Sequence, residues 1–389
     1  MELIMAQNRK TDPRKGGFTE EDVLKGATTR YRRRGLGSSG IAVILCTVIA
    51  IAVVAVSVAF MMTLDFKKPQ NDRQDALAES FLQENPPTAE TEIKFDTVTK
   101  TAADVAVGDV ILVNYQYKYS FPATEDHLVN IYKNKTEDYA VAYNNYMLDG
   151  DVLKVFNELI AEHKEVTGDS SILVNSTYRS LEDQQSIYDS YVQSNGEEYA
   201  KQYVADPGSS EHHTGKALDL TIRYEDGTYV QMKNYEHLDT FVSLCIMNGF
   251  VQRYPENKYA FTHINTEPWH YRYVGIPHSY MMFKKNMCLE EYVELVKEYS
   301  VEGEMLLLTA DGEVSTCDKK NLPENGYVVY YVHMGEGDTV DIPVPADADE
   351  YNISGDNCGG FIVSATFGEP ELPMASYKAT VVTPVGGNG

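Results

Sequence analysis

Two short stretches of the chain contain side chains that could bind a metal ion and activate a water molecule. The stretch SEHHTGKALD contains His212 and Asp219, and the stretch EPWH contains Glu267 and His270. Two histidines and one carboxylate form a three-residue set that can hold a catalytic Zn²⁺ and leave its fourth position open. Glu267 stands three residues before His270, near enough to act as a general base towards water without binding the metal. The pattern therefore predicts a zinc hydrolase site.

Each of these residues, taken alone, has a more ordinary explanation. A single histidine is more often structural or exposed, and a single aspartate on a strand usually lies at a turn or an edge. His213 adjoins His212 and, by residue type alone, could be the ligand instead. Gly215 and Ala217 are small, which would let the backbone and a metal approach closely. The prediction rests on the joint pattern.

The joint pattern resembles the VanY-type zinc D-alanyl-D-alanine carboxypeptidases of bacterial cell-wall metabolism. Their Ser-x-His-x-x-Gly-x-Ala-x-Asp motif matches residues 210–219, and their Glu-x-x-His motif matches residues 267–270. Residues 176–184 read STYRSLEDQ and resemble the family's Ser-Gly-Tyr-Arg-Ser…Gln element, with Thr177 where glycine is usual. The resemblance covers about residues 106–299. It implies an α+β fold with an antiparallel sheet, of the hedgehog-like peptidase type.

The resemblance also implies a role for each matched residue. The two histidines and the aspartate of the motifs would bind Zn²⁺, and the register of the motif favours His212 over His213 as a ligand. Glu267 would be the general base and then the acid to the leaving amine. Arg179 would bind the terminal carboxylate of the substrate or stabilise the oxyanion. The further candidates for substrate contact are Gln184, Ser210 and Tyr254.

Three kinds of function fit this pattern. The first is a D-alanyl-D-alanine carboxypeptidase that removes the terminal D-alanine from peptidoglycan stem peptides. The second applies the same chemistry to another bond, as an L,D-carboxypeptidase or a D,D-dipeptidase. The third is a non-catalytic, zinc-stabilised wall-binding domain. Glu267 argues against the third, because a purely structural metal site needs no base.

The composition excludes other classes of protein. The chain has 389 residues, of which 43% are hydrophobic and 23% charged, with a net charge of −25. Such acidity argues against nucleic acid as a partner, because phosphate binding needs a basic surface. Five cysteines are too few for a disulfide-dense scaffold. Cys317 and Cys358 are the best-placed pair for a disulfide, although spacing does not fix connectivity, and Cys245 is expected to be a buried thiol.

The N-terminal residues have the charge pattern of a membrane-anchored protein. Residues 1–40 contain nine Lys/Arg and five Asp/Glu, whereas residues 41–64 contain no charge. A helix over residues 41–64 would be about 36 Å long, enough to cross a hydrocarbon core of about 30 Å. The arginines before it predict a cytoplasmic N-terminus and an extracellular catalytic domain. We expect a single-pass signal-anchor at the cell membrane, with a cleaved signal peptide as the alternative.

The rest of the chain divides by composition into three parts. Residues 65–101 show little periodicity and are expected to form a stalk. Residues 102–302 show helical and strand periodicities and form the expected catalytic domain. Residues 303–389 contain short β-type runs separated by Asp-Gly, Asn-Gly and Gly-Gly pairs, and predict a small β module. In the catalytic part the expected helices are 149–166, 181–191, 237–248 and 289–299, and the expected strands are 110–113, 171–175, 216–222 and 269–274.

Overall fold

Strands and helices alternate through the first two thirds of the described chain, and strands alone follow. The structure is a computed structural model that describes residues 93–378. Its strands are β1 Phe95–Thr101, β2 Leu128–Asn130, β3 Ala140–Val141, β4 Met147–Asp149, β5 Ile172–Ser176, β6 Ala217–Arg223, β7 Tyr229–Val230, β8 Phe250–Tyr254, β9 Glu267–Tyr273, β10 Met305–Thr309, β11 Val314–Cys317, β12 Gly326–His333, β13 Thr339–Pro345, β14 Glu350–Gly355 and β15 Gly360–Phe367. Its α-helices are α1 Ile131–Asn134, α2 Gly150–Thr167, α3 Leu181–Asn195, α4 Glu197–Tyr203, α5 Leu238–Met247, α6 Tyr259–Thr262, α7 His278–Lys285 and α8 Leu289–Val296. Short 3-10 helices lie at Ala102–Ala106, Glu211–Thr214 and Met232–Asn234.

The central sheet brings distant parts of the sequence together. Its strand order is β3-β5-β6-β9-β8, and β7 pairs with β6 outside this path. β3 and β5 are parallel, whereas the other neighbouring strands are antiparallel. β6 lies beside β9 with Asp219 directly opposite His270. The register alone therefore brings two of the expected metal ligands into contact.

β6 is a buried strand that presents different chemistry on its two faces. Leu218, Leu220 and Ile222 belong to the main hydrophobic core. Because successive side chains point to opposite faces of a strand, Asp219 lies on the face away from these three residues. Burial of Leu218 and Leu220 on either side therefore holds the Asp219 carboxylate in a fixed position.

Helix α2 supplies a large part of the main core. Asp149 caps it by accepting hydrogen bonds from the backbone N–H groups of residues 151 and 152, and Gly168 ends it with φ 75°. Its buried apolar residues recur at helical spacing, as expected for residues 149–166. They are Val152, Leu153, Phe156, Leu159 and Ile160.

The C-terminal strands form a five-stranded antiparallel sheet, ordered β11-β10-β12-β15-β14. Alternate residues of β12 enter two different clusters. Val329 and Tyr331 join the main core, whereas Val328 and Tyr330 join a second core that also contains Ile342 of β13. The sheet is therefore buried on both faces, and its inner face shares a core with the catalytic part.

The stalk expected over residues 65–101 ends earlier than the sequence indicates. Residues 95–101 form β1, which pairs antiparallel with β13 from Phe95 opposite Pro345 to Thr101 opposite Thr339. β1 contains only two apolar residues, so its alternation is weak in sequence. It becomes a strand because β13 offers it unpaired backbone groups.

Residues 110–113 are buried, but they do not form the expected strand. The backbone N–H of Val110 donates to Ser354 Oγ at 2.9 Å, and that of Leu112 donates to the Asp356 carbonyl at 3.0 Å. Their backbone groups are thus satisfied without a strand ladder. The apolar run of residues 110–113 correctly predicted that the segment is buried, but wrongly predicted that it pairs as a strand.

The expected disulfide is also wrong, because Cys317 and Cys358 are free thiols. Cys317 ends β11, and Cys358 precedes β15, with β10 and β12 between these strands. Three strand spacings of about 4.8 Å exceed the roughly 7 Å limit between the Cα atoms of a disulfide. Cys245 is a buried thiol, as predicted.

The other expected elements of the catalytic part are present with small shifts at their ends. Helices α3, α5 and α8 and strands β5, β6 and β9 occupy the expected stretches. The sequence did not predict strands β2, β3, β4, β7, β8, β11 and β14 or helices α1, α4, α6 and α7. The predicted membrane span, residues 41–64, lies outside the described residues. Between residues 93 and 378 there is no helix long and apolar enough to cross a bilayer.

Candidate active site

A pocket of about 320 Å³ lies beside β6 and β9 and contains every side chain that the sequence proposes for the site. Its remaining walls are aromatic and aliphatic and come largely from α3, α4 and the segments that follow them. The eight proposed residues on its surface are Arg179, Gln184, Ser210, His212, Asp219, Tyr254, Glu267 and His270. The fold therefore brings together residues that are separated by up to 91 positions in the sequence.

His212 is held by the tight turn that precedes β6. Its Nδ1 donates a hydrogen bond to the backbone oxygen of Thr177 at 2.6 Å, so that Nε2 carries the lone pair. This Nε2 is buried without a hydrogen-bond partner and lies 3.3 Å from Asp219 Oδ2. The turn ends at Gly215 with φ 70°, where a Cβ atom would lie 2.5 Å from Leu128 Cδ2. Only glycine fits this position without a shift of its surroundings.

Asp219 and His270 complete a set that fits a metal ion. Asp219 Oδ1 is buried without a hydrogen-bond partner and lies 3.3 Å from His270 Nδ1. One ligand atom from each of the two residues and from His212 lies within 4.8 Å of the others. Buried polar atoms in folded proteins are normally paired. Unpaired nitrogen and oxygen atoms that converge in this way could hold Zn²⁺.

His212 and Asp219 are in the protonation states that bind a cation. Burial lowers the pKa of His212 to about 4, with a further contribution from the Arg179 guanidinium, so its imidazole is neutral at neutral pH. Burial would raise the pKa of Asp219, but His212 and Arg179 outweigh it and hold that pKa below its usual range. A neutral imidazole and an ionised carboxylate are the forms that bind metals.

The surroundings of His270 are negative and also favour a positive charge at this place. Burial opposes its protonation, but the Glu211 and Glu267 carboxylates outweigh this effect and raise the pKa of His270 to about 9. A metal ion at this position would compete with that proton. The negative surroundings that favour the imidazolium would equally favour a bound cation.

Glu267 begins β9 and lies beside the three possible ligands. Its Oε2 is 3.3 Å from His270 Nδ1, and its side chain is on the pocket surface. Burial raises the pKa of Glu267, and the neighbouring His270 partly offsets this rise. A carboxylate with an increased proton affinity, placed beside a metal site, can accept a proton from water and return it.

Arg179 is fixed by three side chains on different elements. Its guanidinium donates to Ser176 Oγ at 2.9 Å, Gln184 Oε1 at 3.3 Å and Asp219 Oδ2 at 2.6 Å. Gln184 in turn donates to the Ala205 carbonyl at 2.8 Å. Arg179 is therefore a pre-oriented cation in the pocket and not a solvated surface charge. Its bond to Asp219 is a contact that the sequence did not indicate.

His213, the alternative ligand, has both ring nitrogens engaged elsewhere. Its Nε2 accepts a hydrogen bond from the backbone N–H of Gly208 at 3.0 Å, and its Nδ1 donates to the Arg179 carbonyl at 2.7 Å. The side chain is not on the pocket surface. His213 therefore supports the loops around the site and leaves the ligand position to His212.

Ser210 and Tyr254 lie on the pocket surface and are largely buried. The ring of Tyr254 packs edge-to-face on the ring of His270, with 4.8 Å between centroids. Burial raises the pKa of Tyr254 strongly, so its phenol stays neutral.

A buried charge network behind the pocket was missed by the sequence analysis. Glu211 Oε1 accepts hydrogen bonds from Arg253 Nε at 2.7 Å and from Arg272 Nη1 at 2.8 Å. Arg253 also donates two hydrogen bonds to Glu290, at 2.8 and 2.7 Å. The available signal was the presence of arginines in the otherwise buried strands β8 and β9, because buried charges require partners.

Known proteins share this site region. Residues 145–276 match the family model described as VanY, D-alanyl-D-alanine carboxypeptidase. The bifunctional D-Ala-D-Ala dipeptidase and D-Ala-D-Ala carboxypeptidase VanXYC of Enterococcus gallinarum is 36% identical over 149 residues, which cover 37% of this chain and 76% of that protein. A D-alanyl-D-alanine carboxypeptidase of Enterococcus faecium is 28% identical over 274 residues, 68% of this chain and 78% of that protein.

A solved structure extends the similarity beyond the matched motifs. The vancomycin-resistance D,D-dipeptidase VanXYg, in complex with a D-Ala-D-Ala phosphinate analogue, aligns with a TM-score of 0.58 and 31% identity. The alignment covers 70% of this chain and 99% of that one. This chain therefore belongs to the VanY family of D-alanyl-D-alanine carboxypeptidases.

Proposed function

We propose that this protein is a zinc-dependent D-alanyl-D-alanine carboxypeptidase that removes the C-terminal D-alanine from peptidoglycan stem peptides. The observation that supports this most strongly is the convergence of His212, Asp219 and His270 in one pocket, with Glu267 beside them. Membership of the VanY family supports the choice of bond and substrate class.

Zn²⁺ would be held by His212, Asp219 and His270. These residues supply the nitrogen and oxygen donors that zinc accepts, and three protein ligands leave a position for water or substrate. The bound ion would supply Lewis-acid polarisation of the scissile carbonyl and would lower the pKa of water.

The proton transfers belong to Glu267. Its carboxylate takes a proton from the attacking water and later gives it to the amine of the departing D-alanine. The burial that raises its pKa favours the first transfer, because a carboxylate with a higher proton affinity is a better base. Its place beside His270 puts it within the pocket where the scissile bond must lie.

Arg179 would orient the substrate. Its guanidinium could bind the terminal carboxylate or stabilise the oxyanion, and its three hydrogen bonds to the protein fix it before the substrate arrives. The side chains expected to make further contacts with the substrate are Gln184, Ser210 and Tyr254.

The D,D-dipeptidase activity is the second candidate. The structure of the D,D-dipeptidase VanXYg aligns with 70% of this chain, and the Enterococcus gallinarum relative is named for both activities. The two activities differ in whether the substrate is a free dipeptide or the end of a longer peptide.

A substrate comparison with the full-length protein in detergent tests these alternatives. We expect Zn²⁺-dependent release of D-alanine from a stem pentapeptide, its loss with a chelator, and its return with added Zn²⁺. Release only from a tetrapeptide would indicate an L,D-carboxypeptidase. Cleavage of D-Ala-D-Ala alone would indicate a D,D-dipeptidase. A zinc-loaded protein that cleaves none of them would support the non-catalytic wall-binding function.

We also propose that residues 41–64 anchor the protein in the cell membrane, with residues 1–40 in the cytoplasm and the catalytic part outside. The basic charge of the first segment and the absence of charge in the second support this orientation. Protease added to intact cells without a wall should then degrade the catalytic part and spare a tag at the N-terminus. Protection of the catalytic part would contradict the orientation.

A further inference from the structure

Glu211 is a fully buried carboxylate that the proposed reaction does not use. It adjoins His212 in sequence but does not contribute to the pocket surface. One of its oxygens, Oε1, accepts hydrogen bonds from Arg253 and Arg272. The other, Oε2, is buried without a hydrogen-bond partner.

The unpaired oxygen of Glu211 faces an unpaired nitrogen. His270 Nε2 lies 3.8 Å from Glu211 Oε2, and it too is buried without a hydrogen-bond partner. The other nitrogen of the same ring, Nδ1, lies 3.3 Å from both Asp219 Oδ1 and Glu267 Oε2. The ring of His270 thus stands between the pocket on one side and Glu211 on the other.

We propose that Glu211 is a positioning residue for the metal site. Its Oε2 accepts the Nε2 hydrogen of His270, which leaves the Nδ1 lone pair directed towards Asp219 and the pocket. A histidine that binds a metal usually donates its other N–H group to a carboxylate or a carbonyl, and this partner fixes the tautomer and the orientation of the ring. Shortening this 3.8 Å approach by about 0.6–0.9 Å would turn it into a hydrogen bond of ordinary length. The inference rests on the proposed zinc site.

The surroundings of Glu211 explain how its oxygen is aimed. Arg272 lies two residues after His270 on β9, and it also donates to the backbone oxygens of Asp109 and Ile111 at 2.9 and 3.0 Å. Arg253 on the neighbouring strand β8 is held by two hydrogen bonds from its guanidinium to Glu290. The two immobilised arginines therefore hold Glu211 Oε1 in place. With Oε1 held, Oε2 of the same carboxylate points towards His270.

The two histidines of the site are oriented by different means. His212 uses the backbone carbonyl of Thr177, which no side-chain substitution removes. His270 has only a side chain, that of Glu211, opposite its second nitrogen. A single side-chain substitution should therefore be able to change the tautomer of His270 but not that of His212.

Glu211→Gln and Glu290→Gln form a matched pair of variants. Each replaces a buried carboxylate that accepts hydrogen bonds from Arg253, but only Glu211 faces His270. In Glu211→Gln the amide oxygen should stay on the arginines, so the NH₂ group faces His270 Nε2 and presents a donor where an acceptor was. Both variants should lower the thermal stability.

Zinc affinity separates the two variants. We measure the dissociation constant of Zn²⁺ for the full-length protein by competition with a chromophoric chelator. Glu211→Gln should weaken binding by about 10–100-fold, the usual cost of removing such a partner, and Glu290→Gln should stay within about threefold of wild type. Equal weakening in both variants, or none in Glu211→Gln, would overturn the proposal.

The tautomer of His270 gives a readout that does not depend on activity. In zinc-loaded wild-type protein with ¹⁵N-labelled histidine, the His270 signal should show a proton on Nε2, and Glu211→Gln should lose or shift it. A proton on Nδ1 in the wild type would also overturn the proposal.

A shorter acid covers the case in which Glu211→Gln does not fold. Glu211→Asp keeps the charge beside the arginines but is too short to reach both them and His270. It should fold and still bind Zn²⁺ at least about tenfold more weakly than wild type. Wild-type affinity in Glu211→Asp would overturn the role of Glu211 and leave the proposed function intact, whereas a wild-type protein that binds no Zn²⁺ would overturn the proposed function itself.

Discussion

The catalytic part and the C-terminal sheet differ in how completely they satisfy their buried polar groups. Among residues 93–378, the buried side-chain nitrogens and oxygens without a hydrogen-bond partner all belong to residues from His163 to Tyr271. The C-terminal sheet contributes none of them. Its buried Asp356 accepts from three backbone N–H groups through Oδ1 and from the Tyr331 hydroxyl through Oδ2.

This difference in unpaired buried atoms indicates which region serves function and which serves stability. An unpaired buried polar group costs about 1–3 kcal/mol, so a segment selected only for stability leaves few of them. Half of the unpaired atoms lie in the pocket or directly behind it, and a metal ion would satisfy those of His212 and Asp219. They belong to Glu211, His212, Asp219 and His270. The C-terminal sheet, in contrast, stabilises the fold through paired groups and two apolar cores.

The largest effect should follow from removing a metal ligand. His212→Ala, Asp219→Ala and His270→Ala should each lose zinc, because two ligands do not hold the ion, and activity should fall to the level without metal. Tyr331→Phe, in the C-terminal sheet, leaves Asp356 Oδ2 unpaired and should lose about 1–3 kcal/mol of stability while keeping zinc and activity. Elemental analysis and thermal unfolding measure both. Near-stoichiometric zinc in all three ligand variants would contradict the assignment.

A smaller effect should follow from Arg179→Ala. A hydrogen bond to a charged group is worth about 1.5–3 kcal/mol, so kcat/KM on a D-Ala-D-Ala-terminated peptide should fall about 10–150-fold. Arg179→Lys should recover only part of the loss, because lysine lacks the planar fork. Zinc content must be measured in parallel, since Arg179 also bonds to Asp219. Unchanged kinetics would remove Arg179 from the proposed substrate contacts.

The smallest effect on activity concerns an unpaired atom outside the pocket. His163 is buried, bonds to the Tyr235 hydroxyl at 3.1 Å, and leaves Nδ1 unpaired. Burial lowers the pKa of His163 to about 4 from 6.5. Between these values the unfolded chain binds the extra proton, so the free energy of unfolding decreases as the pH falls from 6.5 to 4.

His163→Phe tests this contribution. The variant should show a decrease in unfolding free energy over this pH range that is smaller than that of wild type by up to about 3 kcal/mol. Denaturant unfolding at several pH values measures it, with zinc affinity at neutral pH as the control. An identical pH dependence in both proteins would show that His163 does not contribute, and a loss of zinc would show that the unpaired atoms form one system.

The sequence predicts the site better than the contacts around it. The ligands and Glu267 lie in two compact motifs, and the residue types alone indicate their chemistry. The contacts of Glu211 with Arg253 and Arg272 span 42 and 61 positions, and nothing in the local sequence indicates such pairings. The same limit applies to Arg179 and Asp219, which are 40 positions apart.

The fold shows a similar division. Helix α2 is predictable because its periodicity is local, and β6 because its apolar alternation is strong. β1 and residues 110–113 are not, because the partners of their backbone groups lie 238–250 positions away, in β13 and at Ser354. The disulfide prediction failed for the same reason: strand order in the C-terminal sheet decides the distance between two cysteines, and local spacing does not reveal it.

The central claim is that Glu267 does the acid–base chemistry beside a metal held by three other residues. Glu267→Gln tests it most directly, because glutamine keeps the shape of the side chain but cannot accept a proton from water. The variant should keep one zinc ion per chain and an almost unchanged KM, while kcat falls by at least about 100-fold. A kcat within a few-fold of wild type would show that another group is the base, and loss of zinc would show that Glu267 is itself a ligand.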